Sequence, residues 1–82
     1  MKKDTERLWL MYPRKLVQQP VVYQLGHKFK VVTNIRQASV QDDIGIVCLE
    51  LQGSRAEIAK AIKWLERRGI KVQPVEINVI ES

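Results

Sequence analysis

The stretch from Gly45 to Val72 constrains the fold most, because it encodes a strand, a helix and a second strand in direct succession. Apolar residues alternate along its first part, at Val47, Leu49 and Leu51, which predicts a strand with one buried face. Apolar residues then recur at helical spacing, at Ile58, Ala61, Ile62 and Leu65. This change of period predicts an amphipathic helix that packs back on the strand.

Both ends of this helix carry sequence signals. Gly53 interrupts the strand, and Ser54 with Glu57 is typical of a capping box, in which the serine hydroxyl accepts from the Glu57 amide and the carboxylate reaches back to the Ser54 amide. Gly69 stands where a helix needs a residue of positive φ to end. The chain then continues as a strand from Ile70.

The rest of the chain supplies three more elements. Alternation predicts a strand over Glu6 to Tyr12, followed by a loop over Arg14 to Gln19. Pro20 suits the first position of a helix whose apolar stripe is Val21, Val22, Leu25 and Phe29. The next strand is predicted over Phe29 to Val40. The last strand, with alternating Val75, Ile77 and Val79, belongs at a sheet edge because Pro74 cannot donate to a ladder.

The strand from Phe29 to Val40 contains a change of phase. Val31, Thr33 and Ile35 share one face, whereas Asn34 and Arg36 share the other. Ala38 and Val40 are expected to return to the core, and that return requires a β-bulge.

The element order is strand–helix–strand–strand–helix–strand, the split βαβ arrangement. Right-handed crossovers then predict an α+β fold with a four-stranded antiparallel sheet in the order 4-1-3-2 and both helices on one face. The opposite face is expected to present Trp9, Met11, Asn34, Arg36, Ile46, Cys48 and Glu50. A surface of this mixed character usually marks a partner or ligand site.

Composition limits the function classes. The 82 residues make a single domain, predicted over 5–80, and one cysteine excludes an intrachain disulfide framework and a thiolate-built metal cluster. There is neither an apolar run of about 20 residues nor a signal-peptide core, so the expectation is a cytoplasmic protein without a membrane span. The net charge of +5 is concentrated in residues 1–41, which hold eight Lys and Arg against two acids. A scattered, solvated surface is favoured over a nucleic-acid site.

Several segments together resemble the NIL domain, which occurs at the C-terminus of the ATP-binding subunits of bacterial methionine importers, alone, and beside ferredoxin modules. They are the segment 29–38, the strand end Leu49-Glu-Leu-Gln-Gly53, and Ala61-Ile-Lys-Trp-Leu65 followed by Ile70-Lys-Val72. Tyr12-Pro13 and Pro20-Val21 also match, and the likeness covers about residues 5 to 78.

The resemblance implies a ferredoxin-like fold and pairing of two domains through their sheets. In the transporter members it also implies methionine bound at the pairing surface. The Asn-Ile-Leu motif of the family corresponds to Asn34-Ile35-Arg36, with arginine in place of leucine. These three residues are the candidate ligand-binding residues.

Each candidate residue has an alternative role. Asn34 and Arg36 point the same way and could hold a ligand carboxylate, but Arg36 could instead pair with Glu50 or lie exposed. Cys48 is expected to be a small buried hydrophobe. Trp9 and Met11 either form a pairing surface or pack within the chain, against Ile46. The lone His27 is expected at a helix end on the surface, so neither a metal nor a cofactor is predicted.

Three functions remain open at this stage. The preferred one is a regulatory domain that senses a small ligand such as an amino acid and acts as a homodimer. The second is a docking module for a transport or ferredoxin-type redox partner. The third, RNA binding, is disfavoured because the third strand carries no aromatic residue for base stacking. An enzyme is not expected, because no nucleophile–base pair occurs at useful spacing.

Overall fold

The structure, a computed structural model, describes residues 4–16, 19–41 and 44–75. Its elements are strand β1 (Asp4–Tyr12), a 3-10 turn (Arg14–Leu16), helix α1 (Val21–Lys28), strands β2 (Val31–Gln41) and β3 (Ile44–Gly53), helix α2 (Arg55–Arg67) and strand β4 (Lys71–Pro74). The predicted continuation of the last strand through Ile77 and Val79 lies outside the described residues.

The strands form one antiparallel sheet with the order β2-β3-β1-β4, which is 4-1-3-2 when read from the other edge. Among the described residues, β2 and β4 are the edge strands. Pro74 therefore lies at an edge, as predicted, where its missing N–H removes no ladder bond from a central strand. The predicted α+β class, with four antiparallel strands and two helices, is confirmed.

The core lies between the helices and one face of the sheet. Leu8 and Leu10 alternate along β1 and Leu49 and Leu51 along β3, and all four are fully buried. They form one cluster with residues of both helices, which are Val21, Leu25, Ile58, Ala61 and Leu65. Because the sheet contributes alternate residues to this cluster, both helices pack on the same face.

The two ends of α2 follow from local chemistry. The Ser54 hydroxyl accepts from the Glu57 amide at 3.2 Å, as predicted. The predicted return bond from the Glu57 carboxylate to the Ser54 amide is wrong, because Oε1 of Glu57 accepts instead from the Lys30 amide at 2.9 Å. Gly69 adopts φ 92° just after the helix, which confirms its role in ending α2.

The predicted bulge in β2 is confirmed. The register shifts between Ile35 and Gln37, so Arg36 is the extra residue. Beyond it, Ala38 and Val40 lie opposite Val47 and Gly45, on the side of the sheet that the helices cover. Their predicted burial is wrong.

Val40 stays 62% exposed on β2, an edge strand with a neighbour on one side only among the described residues. An apolar groove of about 210 Å³ remains between the start of α1 and this end of β2.

The connections and boundaries differ slightly from the predictions. Part of the predicted loop over Arg14 to Gln19 forms the 3-10 turn, which buries Leu16. Pro20 is the N-cap of α1 rather than its first helical residue. Phe29 is the C-cap of α1, so β2 begins at Val31. Within the described residues, neither helix is long and apolar enough to cross a membrane.

Candidate functional site

The sheet face opposite the helices, called here the open face, is defined by rows of paired residues across β2, β3 and β1. Residues directly opposite each other in an antiparallel pair lie on the same face. The rows on this face are Asn34–Glu50–Arg7, Gln37–Cys48–Trp9 and Ser39–Ile46–Met11. The structure thus brings together on one surface Trp9, Met11, Asn34, Ile46, Cys48 and Glu50.

One half of the open face is apolar. Trp9 and Met11 are half-buried, and Cys48 between Trp9 and Gln37 is 7% exposed although no helix covers it. The expectation that Cys48 is a small buried hydrophobe is confirmed. Ile46 remains 37% exposed beside it. These side chains surround part of a shallow depression of about 260 Å³, which is lined by Trp9, Gln37, Ala38, Ser39 and Ile46.

The other half carries charges from three strands. Arg7 Nε on β1 donates to Glu50 Oε2 on β3 at 3.2 Å. Arg36 Nη1, from the bulge in β2, lies 3.9 Å from the other oxygen of Glu50, Oε1. The alternative in which Arg36 pairs with Glu50 is therefore the arrangement present. Its distance is that of a loose ion pair, longer than a hydrogen bond.

The environment keeps Glu50 ionised. The hydrogen bond from Arg7 lowers the pKa of the Glu50 carboxyl below its ordinary value. Partial burial opposes this effect, whereas a hydrogen bond from the Asn34 amide and the charges of Arg7 and Arg36 add to it. The side chain of Glu50 is 17% exposed and that of Arg36 is 46% exposed. The cluster of Arg7, Glu50 and Arg36 thus holds two positive charges and one negative charge at neutral pH.

A second depression, of about 250 Å³, borders this cluster. It is lined by Val32, Thr33, Asn34, Glu50 and Gln52. Asn34 stands directly opposite Glu50, so its amide lies beside the carboxylate. Ile35, the middle residue of the predicted ligand-binding set, does not join them. Ile35 pairs with Leu49 and faces the helix side, because neighbouring strand residues point to opposite faces.

Sequence reasoning gave Arg7 no role in the site, and it placed Glu50 on the open face only as a surface residue and a possible partner of Arg36. The signal for Arg7 was present, since it alternates with Trp9 and Met11 along β1. The register of β1 against β3 was needed to place it opposite Glu50.

His27 is exposed near the end of α1 and contacts the Tyr23 ring, with 4.3 Å between centroids. The part of the chain that the structure describes contains no group of three or more His, Cys, Asp or Glu that could hold a metal ion.

The βαββαβ order and the four-stranded antiparallel sheet with two helices define an α+β domain, and the strand order is consistent with a ferredoxin-like fold. The sequence model of the NIL domain family matches residues 6–74, and the chain belongs to this family.

Among solved structures, the chain is similar to the C-terminal domain of an ABC transporter/ATP-binding protein from Enterococcus faecalis. The TM-score is 0.75 at 18% identity, over 85% of this chain and 82% of that chain. At this level of identity the likeness shows the fold alone. No curated protein sequence matches the chain.

Proposed function

We propose that this chain is a non-enzymatic regulatory domain that binds an amino acid, methionine or a related small molecule, on the open face and pairs with a second copy through that face. The observation that carries the proposal is the composition of the open face, where an ion-pair cluster lies beside an apolar half. A small molecule with a charged head and an apolar side chain matches both halves. Membership of the NIL family supports the same assignment.

Arg36 and Asn34 are the proposed carboxylate ligands. The Arg36 guanidinium has five N–H donors, and its contact with Glu50 at 3.9 Å occupies them only loosely. Its exposure leaves it accessible to a bidentate pair with a ligand carboxylate. The amide of Asn34 lines the adjacent depression and supplies a further donor.

The apolar half supports pairing with a second copy. Trp9, Met11, Cys48 and Ile46 form a contiguous surface that no element of the described chain covers. In a two-fold dimer each copy presents the same patch, so these side chains would cover one another. A ligand bound at the edge of this patch would be enclosed by both copies.

The proposed role follows from the relatives rather than from the geometry. The similar Enterococcus domain belongs to the ATP-binding protein of a transporter. On this basis an ABC transporter is the proposed target of the domain.

The charge of the helix layer favours docking to an acidic partner, such as a ferredoxin-type protein, as a second candidate function. The exposed cations of this layer are Lys28, Lys30, Arg55, Lys60, Lys63 and Arg67. The acids between them are Glu57 and Glu66. Binding of this kind would weaken steeply with salt, whereas ligand binding on the open face would not.

Calorimetric titration with the twenty amino acids, beginning with methionine, tests the proposal. We expect binding by the wild type, and a loss of affinity of about tenfold in Arg36→Leu and in Asn34→Ala. Arg67→Leu, the same change on the exposed side of α2, is the matched control and should bind as the wild type does. Urea unfolding should be similar for all four proteins. An absence of heat with every amino acid, together with tight binding of an RNA oligomer at moderate salt, would reverse the assignment.

A further inference from the structure

We propose that the outer edge of β2, with the apolar groove beside it, binds an extended peptide segment of a partner protein, which adds to the sheet as a further strand. This segment carries apolar side chains at alternate positions and acidic residues at one end. The surface lies at the edge of the sheet and on its helix side. The proposal therefore does not depend on ligand binding or pairing at the open face.

The two edge strands differ in how well their edges are protected against a further strand. Strand β4 has only four residues, carries Lys71 and ends at Pro74. Strand β2 has eleven residues, and its second half, residues 37–41, contains neither a charged residue nor a proline. Alternate residues of an edge strand direct both N–H and C=O away from the neighbouring strand. This half of β2 thus offers main-chain donors and acceptors to an added strand, the first requirement of recognition by strand addition.

The groove provides a place for the side chains of the added strand. On the helix side, α1 lies against β2 at Gly26, where a β-carbon would be 3.7 Å from Cγ2 of Thr33. The groove of about 210 Å³ remains between the start of α1 and the second half of β2. Tyr23 and Val40, which line it, are 67% and 62% exposed. Because an added strand directs every second side chain to the helix side, apolar residues at those positions would enter the groove and cover Val40.

The charge of this part of the molecule selects the partner. Residues 21–41 comprise α1, the connection that follows it and β2. Their Lys and Arg residues are Lys28, Lys30 and Arg36, and they include neither Asp nor Glu. Asp42 and Asp43 follow directly in the sequence, so the positive charge belongs to the first part of β2 and not to its end. A complementary segment has acidic residues beside Lys30 and apolar residues beside Val40. About ten residues span this distance, since a strand rises about 3.3 Å per residue.

Selection from a library of random decapeptides displayed on phage tests the proposal with the whole 82-residue chain as the target. We expect enriched peptides to alternate apolar and polar residues and to carry Asp or Glu at one end only. An absence of enrichment, or enrichment of basic or non-alternating sequences, would overturn the proposal.

Two matched variants locate the site of the selected peptide. Val40→Glu places a charge in the groove, and we expect it to weaken peptide binding at least about tenfold, measured by fluorescence anisotropy. Ile44 is also an exposed, branched apolar residue, but it lies opposite Gln41 on the open side. Ile44→Glu is therefore the control and should bind the peptide as the wild type does. Equal binding by the two variants would rule out the groove.

Methylation of the peptide backbone tests strand addition itself. Two versions of the selected peptide are N-methylated, one at the odd and one at the even positions. Only alternate amides of an added strand donate to β2, so one version should keep its affinity and the other should lose at least about tenfold. Equal affinities of the two versions would contradict strand addition, and this comparison does not depend on the folding of any variant.

A second copy of this chain is the competing occupant of the edge. If no peptide is enriched, and the wild type forms a dimer that Val40→Glu dissociates, the edge pairs with a second copy and the assignment to a partner protein is wrong. Calorimetry with methionine is a separate measurement, and Val40→Glu should leave its result unchanged. Failure of the peptide experiments therefore leaves the proposed function standing, and a lack of amino-acid binding leaves the edge site standing.

Discussion

Glu57 illustrates how one residue connects two segments of a small protein. Its amide donates to Ser54 at the start of α2, its Oε1 accepts from the Lys30 amide at 2.9 Å, and its Oε2 pairs with Lys60 at 3.2 Å. The Lys30 amide belongs to the connection between α1 and β2. Glu57 therefore ties this connection to the first turn of α2.

These contacts make Glu57 sensitive to pH. The hydrogen bond from the Lys30 amide, and then the one from Lys60, lower the pKa of the Glu57 carboxyl from its ordinary value of 4.5. A carboxyl whose pKa is lower in the folded state stabilises the fold above the unfolded-state pKa. That contribution is lost as the pH falls through the folded-state pKa.

The first prediction concerns Glu57→Gln. We expect this variant to be less stable than the wild type at neutral pH, and to lose less stability than the wild type when the pH falls below 4.5. The reason is that the amide cannot change charge, so the proton-linked contribution of this position disappears. Urea unfolding between pH 7 and pH 3 measures both effects. Glu66→Gln is the control, and identical pH slopes for the two variants would contradict the role given to Glu57.

At the scale of elements, the bulge in β2 changes which residues of this strand face the helices. Before the bulge, Asn34 faces the open side, and after it, Ala38 faces the helix side. In a regular strand these two residues, four positions apart, would share a face. The single extra residue, Arg36, accounts for this change. The bulge also places the Arg36 guanidinium within 3.9 Å of Glu50, so the irregularity of the strand and the candidate site coincide.

Deletions test this description of β2. Removal of Arg36 should straighten the strand without moving any other residue to the opposite face, and we expect a change in unfolding free energy within about 1 kcal/mol. Removal of Thr33 should instead turn Asn34 toward the helix side opposite Leu51, where an unpaired polar group costs about 1–3 kcal/mol. Urea unfolding with circular dichroism compares the two deletions. Equal losses of stability would mean that Arg36 is not the extra residue.

The predictable parts of the fold depend on neighbours in the chain. Ser54 and Gly69 mark the ends of α2 because caps act within one turn. The bulge was predictable because the apolar period changes phase inside a single strand. Whether Val40 would be buried depended on what packs against the edge strand β2, which the residues of β2 do not determine. The contact between Arg7 and Glu50 depended on the register of two strands that are distant in sequence.

For the whole molecule, the distribution of charge and apolar surface over the helix layer and the sheet determines how a second copy can approach. The exposed cations of the helix layer belong to α1, α2 and the connection that follows α1, and none of them is in the rows of the open face. The open face itself has an apolar half and a charged cluster of two arginines and one glutamate. A second copy that pairs through the apolar half can keep the two clusters, each with a net positive charge, apart from one another. The helix layers would remain on the outside of such a dimer and available to another partner.

The last prediction tests pairing through the open face. Ile46 and Val40 are both exposed, branched apolar residues near the same end of the sheet, but Ile46 lies on the open face and Val40 on the helix side. In a two-fold dimer Ile46→Glu would bring like charges from the two copies together in an apolar contact, and we expect the dissociation constant to rise by at least about tenfold. Val40→Glu adds the same charge outside the contact and should leave the dimer intact. Both positions are solvent-exposed in the single chain, so each variant should keep its fold. Sedimentation equilibrium over a range of concentrations measures the association. If Val40→Glu dissociates the dimer, or if the dimer persists in Ile46→Glu, the contact between the copies lies elsewhere.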